Sequence, residues 1–178
     1  EAEHDQLDKW GNRAVLPQSA PVLPSIPEMF AAQVARTPEA VAITCGASAW
    51  TYRELDAASN RLAHALAGRG AGPGQIVALL LPRSAQAIVA ILAVLKTGAA
   101  YLPIDPAHPD ARIRFMLADA APVIGVTTAE LGTRMAGSGV SVIDIDDPVT
   151  MEQPVTELPM PAADDIAYII YTSGTTGT

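Results

Sequence analysis

Six consecutive apolar residues, Ile76 to Leu81 (IVALLL), constrain this chain more than any other feature. A strand with one face in water alternates apolar and polar side chains, so a run without alternation must be covered on both faces, as strands of parallel sheets are. Such cover needs helices, and the flanking sequence has them. Before the run, Leu55, Ala58, Leu62, Ala65 and Leu66 recur at helical spacing behind a capping box of Thr51 and Glu54, until Gly68, Gly70, Gly72, Pro73 and Gly74 stop the helix. After the run, Ser84 is placed to cap a helix through Lys96, with Ile88, Ile91, Leu92 and Leu95 on one face and Gly98 closing it.

The same rhythm continues. A short strand at Ala100 to Ile104 leads to the turn DPAHPD, and Pro109 starts a helix in which Ile113, Met116 and Leu117 face inward. Val123 to Thr127 and Val140 to Ile145 read as strands, with a weaker helix near Glu130 to Met135 between them. Strand, helix, strand in alternation predicts an α/β fold with a mostly parallel sheet and crossover helices. Upstream, Ser25 and Glu28 form another capping box around Pro27, for a short helix carrying Met29, Phe30 and Val34 and ending before Pro38. Val41 to Cys45 and Trp50 to Tyr52, separated by a turn at Gly46 and Ser48, predict a hairpin. Cys45 is the chain's single cysteine, which excludes an internal disulfide, and its apolar surroundings predict a thiol packed in the core.

Two stretches break the rhythm. Leu16 to Pro27 holds four prolines and no periodic apolar face, so it reads as an extended connector. Residues 1–24 are therefore expected to be an inter-domain linker, with residues 25–178 belonging to the domain that follows it. A first residue of Glu instead of Met fits a position inside a longer protein. Asp146 to Asp165 is polar with four prolines and is predicted to be a long surface connection.

A formal net charge of −8 disfavours nucleic acid and anionic lipid as partners, and means that any site for a polyanion must supply its own donors. No apolar stretch approaches the roughly 20 residues that span a bilayer, and the polar start EAEHDQLDKW is no signal peptide, so a cytoplasmic location is expected. His4, His64 and His108 are scattered through tail, helix and turn and suggest neither a metal site nor a catalytic triad.

Chemistry concentrates at the end of the chain. Ile166 to Tyr171 (IAYIIY) is the last strand candidate, and it runs into Thr172, Ser173, Gly174, Thr175, Thr176 and Gly177. Glycines let a backbone approach a phosphate closely, and exposed N–H groups and hydroxyls supply donors. Ligands of open α/β sheets bind beyond the carboxyl ends of the strands, where this loop would lie. Its glycine spacing is not that of a P-loop, and no Lys-Ser or Lys-Thr pair follows. By composition alone, a Ser/Thr/Gly cluster is more often a plain turn.

The string YTSGTTGT, Tyr171 to Thr178, resembles the phosphate-loop signature of the adenylate-forming (AMP-binding) enzymes, which include acyl-CoA ligases, luciferases and the amino-acid adenylation domains of nonribosomal peptide synthetases. Three further segments are similar to the amino-acid-activating branch: FAAQVARTPEAVAI (Phe30 to Ile43), WTYRELDAASNRLAHAL (Trp50 to Leu66) and LKTGAAYLPIDPAHPDARIRFMLADA (Leu95 to Ala120). QLDKWGNRAVLP, from Gln6 to Pro17, resembles the linker leaving an upstream condensation domain.

The resemblance implies a partial N-terminal lobe of the adenylate-forming fold. It implies an ATP-dependent ligase that, with Mg2+, joins an amino acid to AMP and loads the phosphopantetheine thiol of a carrier domain, in a chain that also holds a condensation domain. In such a domain Thr172, Ser173, Gly174, Thr175, Thr176 and Gly177 would bind the β and γ phosphates, and no residue present would be catalytic. The selectivity pocket and the metal-binding acid would lie beyond Thr178, so these residues alone are expected to be inactive and poorly soluble. An acyl-CoA or aryl-acid ligase of the same superfamily, or a non-catalytic docking remnant, are the alternatives. Tyr52, Lys96, Tyr101 and Arg112 stand inside the signature segments, where packing is the expected role.

Overall fold

The computed structural model describes residues 6–7, 10–11 and 23–172. Ser25 opens α1 (Ile26–Arg36): its Oγ accepts from the Glu28 amide at 3.3 Å, and its own amide donates to Glu28 Oε2 at 2.6 Å. β1 (Val41–Cys45) and β2 (Ser48–Thr51) form an antiparallel hairpin. Thr51 repeats the reciprocal cap at the head of α2 (Tyr52–Ala67), satisfying amides that the first turn leaves without partners.

Then come β3 (Ile76–Leu80), α3 (Ala85–Lys96), β4 (Ala100–Ile104), α4 (Asp110–Ala120) and β5 (Ile124–Thr127). A short α5 (Ala129–Gly132) continues into a 3-10 turn, Thr133–Met135, and β6 (Ser141–Asp144) and α6 (Pro148–Met151) follow. β4, β3, β5 and β6 lie in that order in one sheet, and every pairing is parallel.

The apolar run is covered on both faces, as its lack of alternation requires. Val77 and Leu79 point into a core built with α2 and α3, among Leu62, Leu66, Val89 and Ala93. Ala78 and Leu80 point the other way, toward Ile113, Met116 and Leu117 of α4 and toward Met135. Gly125 in β5 makes room for that methionine: a Cβ there would stand 2.2 Å from Met135 Cε.

Two expectations need correction. Cys45 is exposed, not buried. It lies at the tip of the hairpin opposite Ser48, and the hairpin reaches the core only through Ala42, Ile43 and Trp50. Ile166 to Tyr171 is not a full strand but a single parallel bridge between Tyr168 and Tyr101, with two backbone hydrogen bonds of 3.0 Å along the outer edge of β4. Ile166, Tyr168 and Ile170 are 66%, 54% and 59% exposed, so this run has one covered face rather than two. Among the described residues no strand pairs with its outer side. Residues 146–165 are largely exposed, yet they include α6 and are pinned to α2, where Asn60 Nδ2 donates to the Val155 carbonyl at 2.8 Å.

Candidate functional site: the carboxyl ends of the sheet

β3 ends where Pro82 cannot continue a ladder, and the chain turns through Arg83 into α3, whose first turn is capped by Ser84 Oγ accepting from the Ala87 amide at 3.2 Å. β4 ends at Ile104, and Asp105 bends the chain by accepting the Ala107 amide at 2.8 Å, the short-range bond that makes Asp a turn residue. Between these exits lies a cleft of about 580 Å³ with Leu81, Ile104 and Met116 in its walls. Arg83, Asp105 and His108 line it too, and Tyr171 closes one side. That volume falls within the roughly 300–1,000 Å³ of small-molecule sites.

The turn from Asp105 to His108 is held from outside the cleft by Arg134. Its Nη1 donates to the Pro106 carbonyl at 2.5 Å, its Nη2 to the His108 carbonyl at 2.6 Å, and its Nε to Asp110 Oδ1 at 2.7 Å. A planar guanidinium can meet three acceptors at once because its donors are fixed in a fork. Sequence reasoning missed Arg134, which belongs to no signature segment.

Tyr171 is fixed against α4. Its hydroxyl donates to Asp119 Oδ2 at 2.5 Å, and its ring meets Phe115 edge-on with centroids 6.2 Å apart. The Arg112 guanidinium sits 5.5 Å from the Tyr171 ring and 5.2 Å from that of Phe115. Burial, followed by the hydrogen bond to the Asp119 carboxylate, pushes the Tyr171 hydroxyl up to about 12, with Arg112 opposing.

Of the predicted loop, Thr172 follows Tyr171 directly and leaves the cleft rim exposed. Ser173, Gly174, Thr175, Thr176 and Gly177 lie outside the described residues. Among the described residues no three His, Cys, Asp or Glu come together as a metal site, and no helix is long and apolar enough to cross a membrane.

The four signature-segment residues all pack. Tyr52 stacks near Phe30 with centroids 6.1 Å apart, and Tyr101 lies 5.7 Å from Tyr168, where burial raises its hydroxyl's pKa. Arg112 serves Tyr171 as described. Lys96 Nζ reaches Asp56 Oδ1 and Ser59 Oγ at 2.7 Å and Asn60 Oδ1 at 2.6 Å, over the ring of Phe30. Burial lowers its pKa despite Asp56 beside it.

The fold is an open arrangement of parallel strands and helices with a cleft beyond the carboxyl ends of β3 and β4, the place where ligands of such sheets generally bind. Comparison with known proteins makes the class specific: residues 30–178 match the AMP-binding enzyme family, and the chain belongs to it. It is 63% identical to an isonitrile lipopeptide synthase of Mycobacterium tuberculosis over 98% of its own length and 7% of the relative's. It is 40% identical to a dimodular nonribosomal peptide synthase of Bacillus subtilis over 99% of its length and 8% of that protein's. Among solved structures it resembles the nonribosomal peptide synthetase FmoA3 in its AMPPNP-bound form, with TM-score 0.80 and 32% identity over 88% of this chain and 17% of that one. The chain thus spans less than a tenth of either relative named.

Proposed function

We propose that this chain is the N-terminal part of an amino-acid adenylation domain, and that its parent protein activates an amino acid for nonribosomal peptide synthesis. The observation that carries the reading is the junction at Tyr171. There Tyr171, the first residue of the sequence YTSGTTGT, lines the carboxyl-end cleft, in a chain whose residues 30–178 match the AMP-binding family.

The residues present fit a nucleotide. The cleft has the volume of a small-ligand site, with Arg83 as a cation at its edge and a run of hydroxyl and glycine residues following Thr172. ATP, when bound, supplies the α-phosphorus that an amino-acid carboxylate attacks, releasing pyrophosphate. This chain's part in that reaction is to bind and orient. Backbone amides and hydroxyls of Thr172 to Gly177 would hold the β and γ phosphates while negative charge develops on them, a preorganised electrostatic role. Mg2+ ligands, the amino-acid pocket and the carrier domain whose phosphopantetheine thiol accepts the acyl group belong to the rest of the parent. A condensation domain would precede residues 1–24, and a cytoplasmic location follows from such partners.

The test is amino-acid-dependent exchange of labelled pyrophosphate into ATP. The parent protein should exchange with one or a few amino acids, and the 178-residue chain with none. Exchange driven only by fatty or aryl acids would replace this reading with that of an acyl or aryl ligase.

A further inference from the structure

The cleft at the carboxyl ends of the sheet has two walls of unequal support. Leu81 and Arg83 follow β3, a strand paired on both sides, with β4 and with β5. Asp105 and His108 follow β4, whose outer edge carries, among the described residues, the single bridge between Tyr101 and Tyr168. A turn that extends a half-paired strand needs another restraint to keep its place.

The turn's own bonds are short-range. Pro106 and Pro109 have no N–H to give, the Ala107 amide donates to Asp105 Oδ1 at 2.8 Å, and the His108 amide donates to the Asp105 carbonyl at 3.0 Å. Helix α4 then starts behind Pro109 without a side-chain cap. Arg134 ties both together. Its three nitrogens meet the Pro106 carbonyl, the His108 carbonyl and Asp110 in the first turn of α4, and its side chain is 24% exposed, so the fork works largely out of solvent.

The arginine is itself fixed from the core. It belongs to the single 3-10 turn Thr133–Met135, whose last residue, Met135, is buried. Met135 occupies the space that a side chain on Gly125 would need, with a Cβ there only 3.0 Å from its Sδ. Ser138 Oγ holds the far end by donating to the Met135 carbonyl at 2.7 Å. The guanidinium therefore projects from an anchor against β5 and links the less supported wall to the better supported side of the sheet.

We propose that Arg134 is a positioning residue for the ligand cleft: anchored through Met135 against β5, it fixes the wall that carries Asp105 and His108 relative to the β3 wall, and so sets the width open to the nucleotide. The inference rests on the nucleotide reading above. It adds that a residue outside the cleft lining, and outside every signature segment, governs how tightly the cleft grips.

The experiment uses the parent protein with Arg134→Ala and Arg134→Lys. Pyrophosphate exchange gives KM for ATP and for the amino acid separately, and hydrogen exchange is followed in peptides covering residues 105–110 and β3. Both are repeated with guanidinium or methylammonium ions at millimolar, non-denaturing concentrations. Arg134→Ala should raise KM for ATP about tenfold, as expected when a binding wall is misplaced by a fraction of an ångström. Arg134→Lys should raise it about threefold, since an ammonium keeps the charge and loses the fork. KM for the amino acid should stay within about twofold, because its pocket belongs to the rest of the parent. Residues 105–110 should exchange faster in the same order while β3 keeps its protection. Guanidinium should move KM for ATP and the 105–110 exchange of Arg134→Ala back toward wild type, and methylammonium, a point charge without a fork, should not.

Unchanged KM for ATP in folded Arg134→Ala, equal rises in both KM values, or no rescue by guanidinium would overturn the brace. A residue that merely stabilises the fold would loosen β3 and residues 105–110 together. If the wild-type parent shows no exchange with any amino acid, the functional reading fails instead. The hydrogen-exchange arm then still decides the brace: faster exchange of 105–110 that guanidinium reverses upholds it, and equal exchange refutes it.

Discussion

The two ends of the parallel sheet solve opposite problems with the same kind of residue. Beside the amino-terminal ends of β3 and β4, where α3 stops, the basic residue is Lys96, whose side chain is 10% exposed and whose partner Asp56 is 20% exposed. Its ammonium has three acceptor side chains and an aromatic face; Lys96 borders a void of about 10 Å³ and, beside Pro73 and Leu158, a cleft of about 370 Å³. Among the described residues no buried side-chain polar atom lacks a partner. At the carboxyl-terminal ends Arg83 lines the cleft, while Arg134 works from behind: it holds a turn whose other side faces a cleft of about 580 Å³. One end is closed around its charge, and the other spends its charge keeping a wall in place. A charge enclosed by satisfied partners specifies packing, and a charge that braces a wall leaves room for something else to bind.

The sharpest way to break this contrast is to remove the enclosed cation. Lys96→Ala leaves Asp56 Oδ1 and Asn60 Oδ1 without their ammonium donor, while Asp56 Oδ2 keeps the Asn60 amide at 3.1 Å, and should cost about 3 kcal/mol in chemical denaturation, the low end for breaking a buried pair because Asp56 keeps some solvent contact. The double variant Lys96→Met with Asp56→Leu should recover much of that loss, since an apolar pair of similar volume needs no donors. A cost below about 1 kcal/mol for Lys96→Ala would place the site among surface pairs and end the comparison.

At the carboxyl end the corresponding change is gentler and local. Arg134→Lys keeps the charge and loses the fork, so one ammonium must choose among the Pro106 and His108 carbonyls and Asp110. The expected loss is about 1 kcal/mol, with faster amide exchange confined to residues 105–110. Equal exchange there in the wild type and the variant would show that the turn stands without its brace.

How far these features could be read from sequence follows from the range of the signals. Both capping boxes, the Ala100–Ile104 strand and the doubly covered IVALLL run were legible, because a cap spans three residues and a strand's burial is written in its own periodicity. Cys45 was misread because an apolar run says what could be buried and not whether a hairpin lies on a core or stands off it. Ile166 to Tyr171 was misread for a related reason, since burial of both faces depends on neighbours and this segment has a neighbour on one edge only among the described residues. At the site, the Asp105 turn was legible from Pro and Asp placement. The partnerships were not: Arg134 acts on a turn 26 to 28 residues earlier, and Tyr171 on a helix residue 52 positions back. No local pattern encodes such pairs.

The smallest expected effect tests whether Tyr171, held against α4, belongs with the enclosed charge or with the open cleft. The Tyr171 hydroxyl is raised from 10.0 to about 12, by burial first and by the Asp119 hydrogen bond next. The folded state therefore favours the protonated phenol, and its contribution to stability is fully present below 10.0 and is lost as pH rises through about 12. Tyrosinate absorbance on the folded chain should show a late-ionising component that Tyr171→Phe removes. Asp119→Asn, which keeps an acceptor and deletes the charge, should move that component to lower pH without abolishing it. A hydroxyl enclosed like Lys96 would resist both changes until the chain unfolds. One at the rim should titrate reversibly, with far-ultraviolet circular dichroism constant across the transition, and that outcome would place Tyr171 with the open cleft.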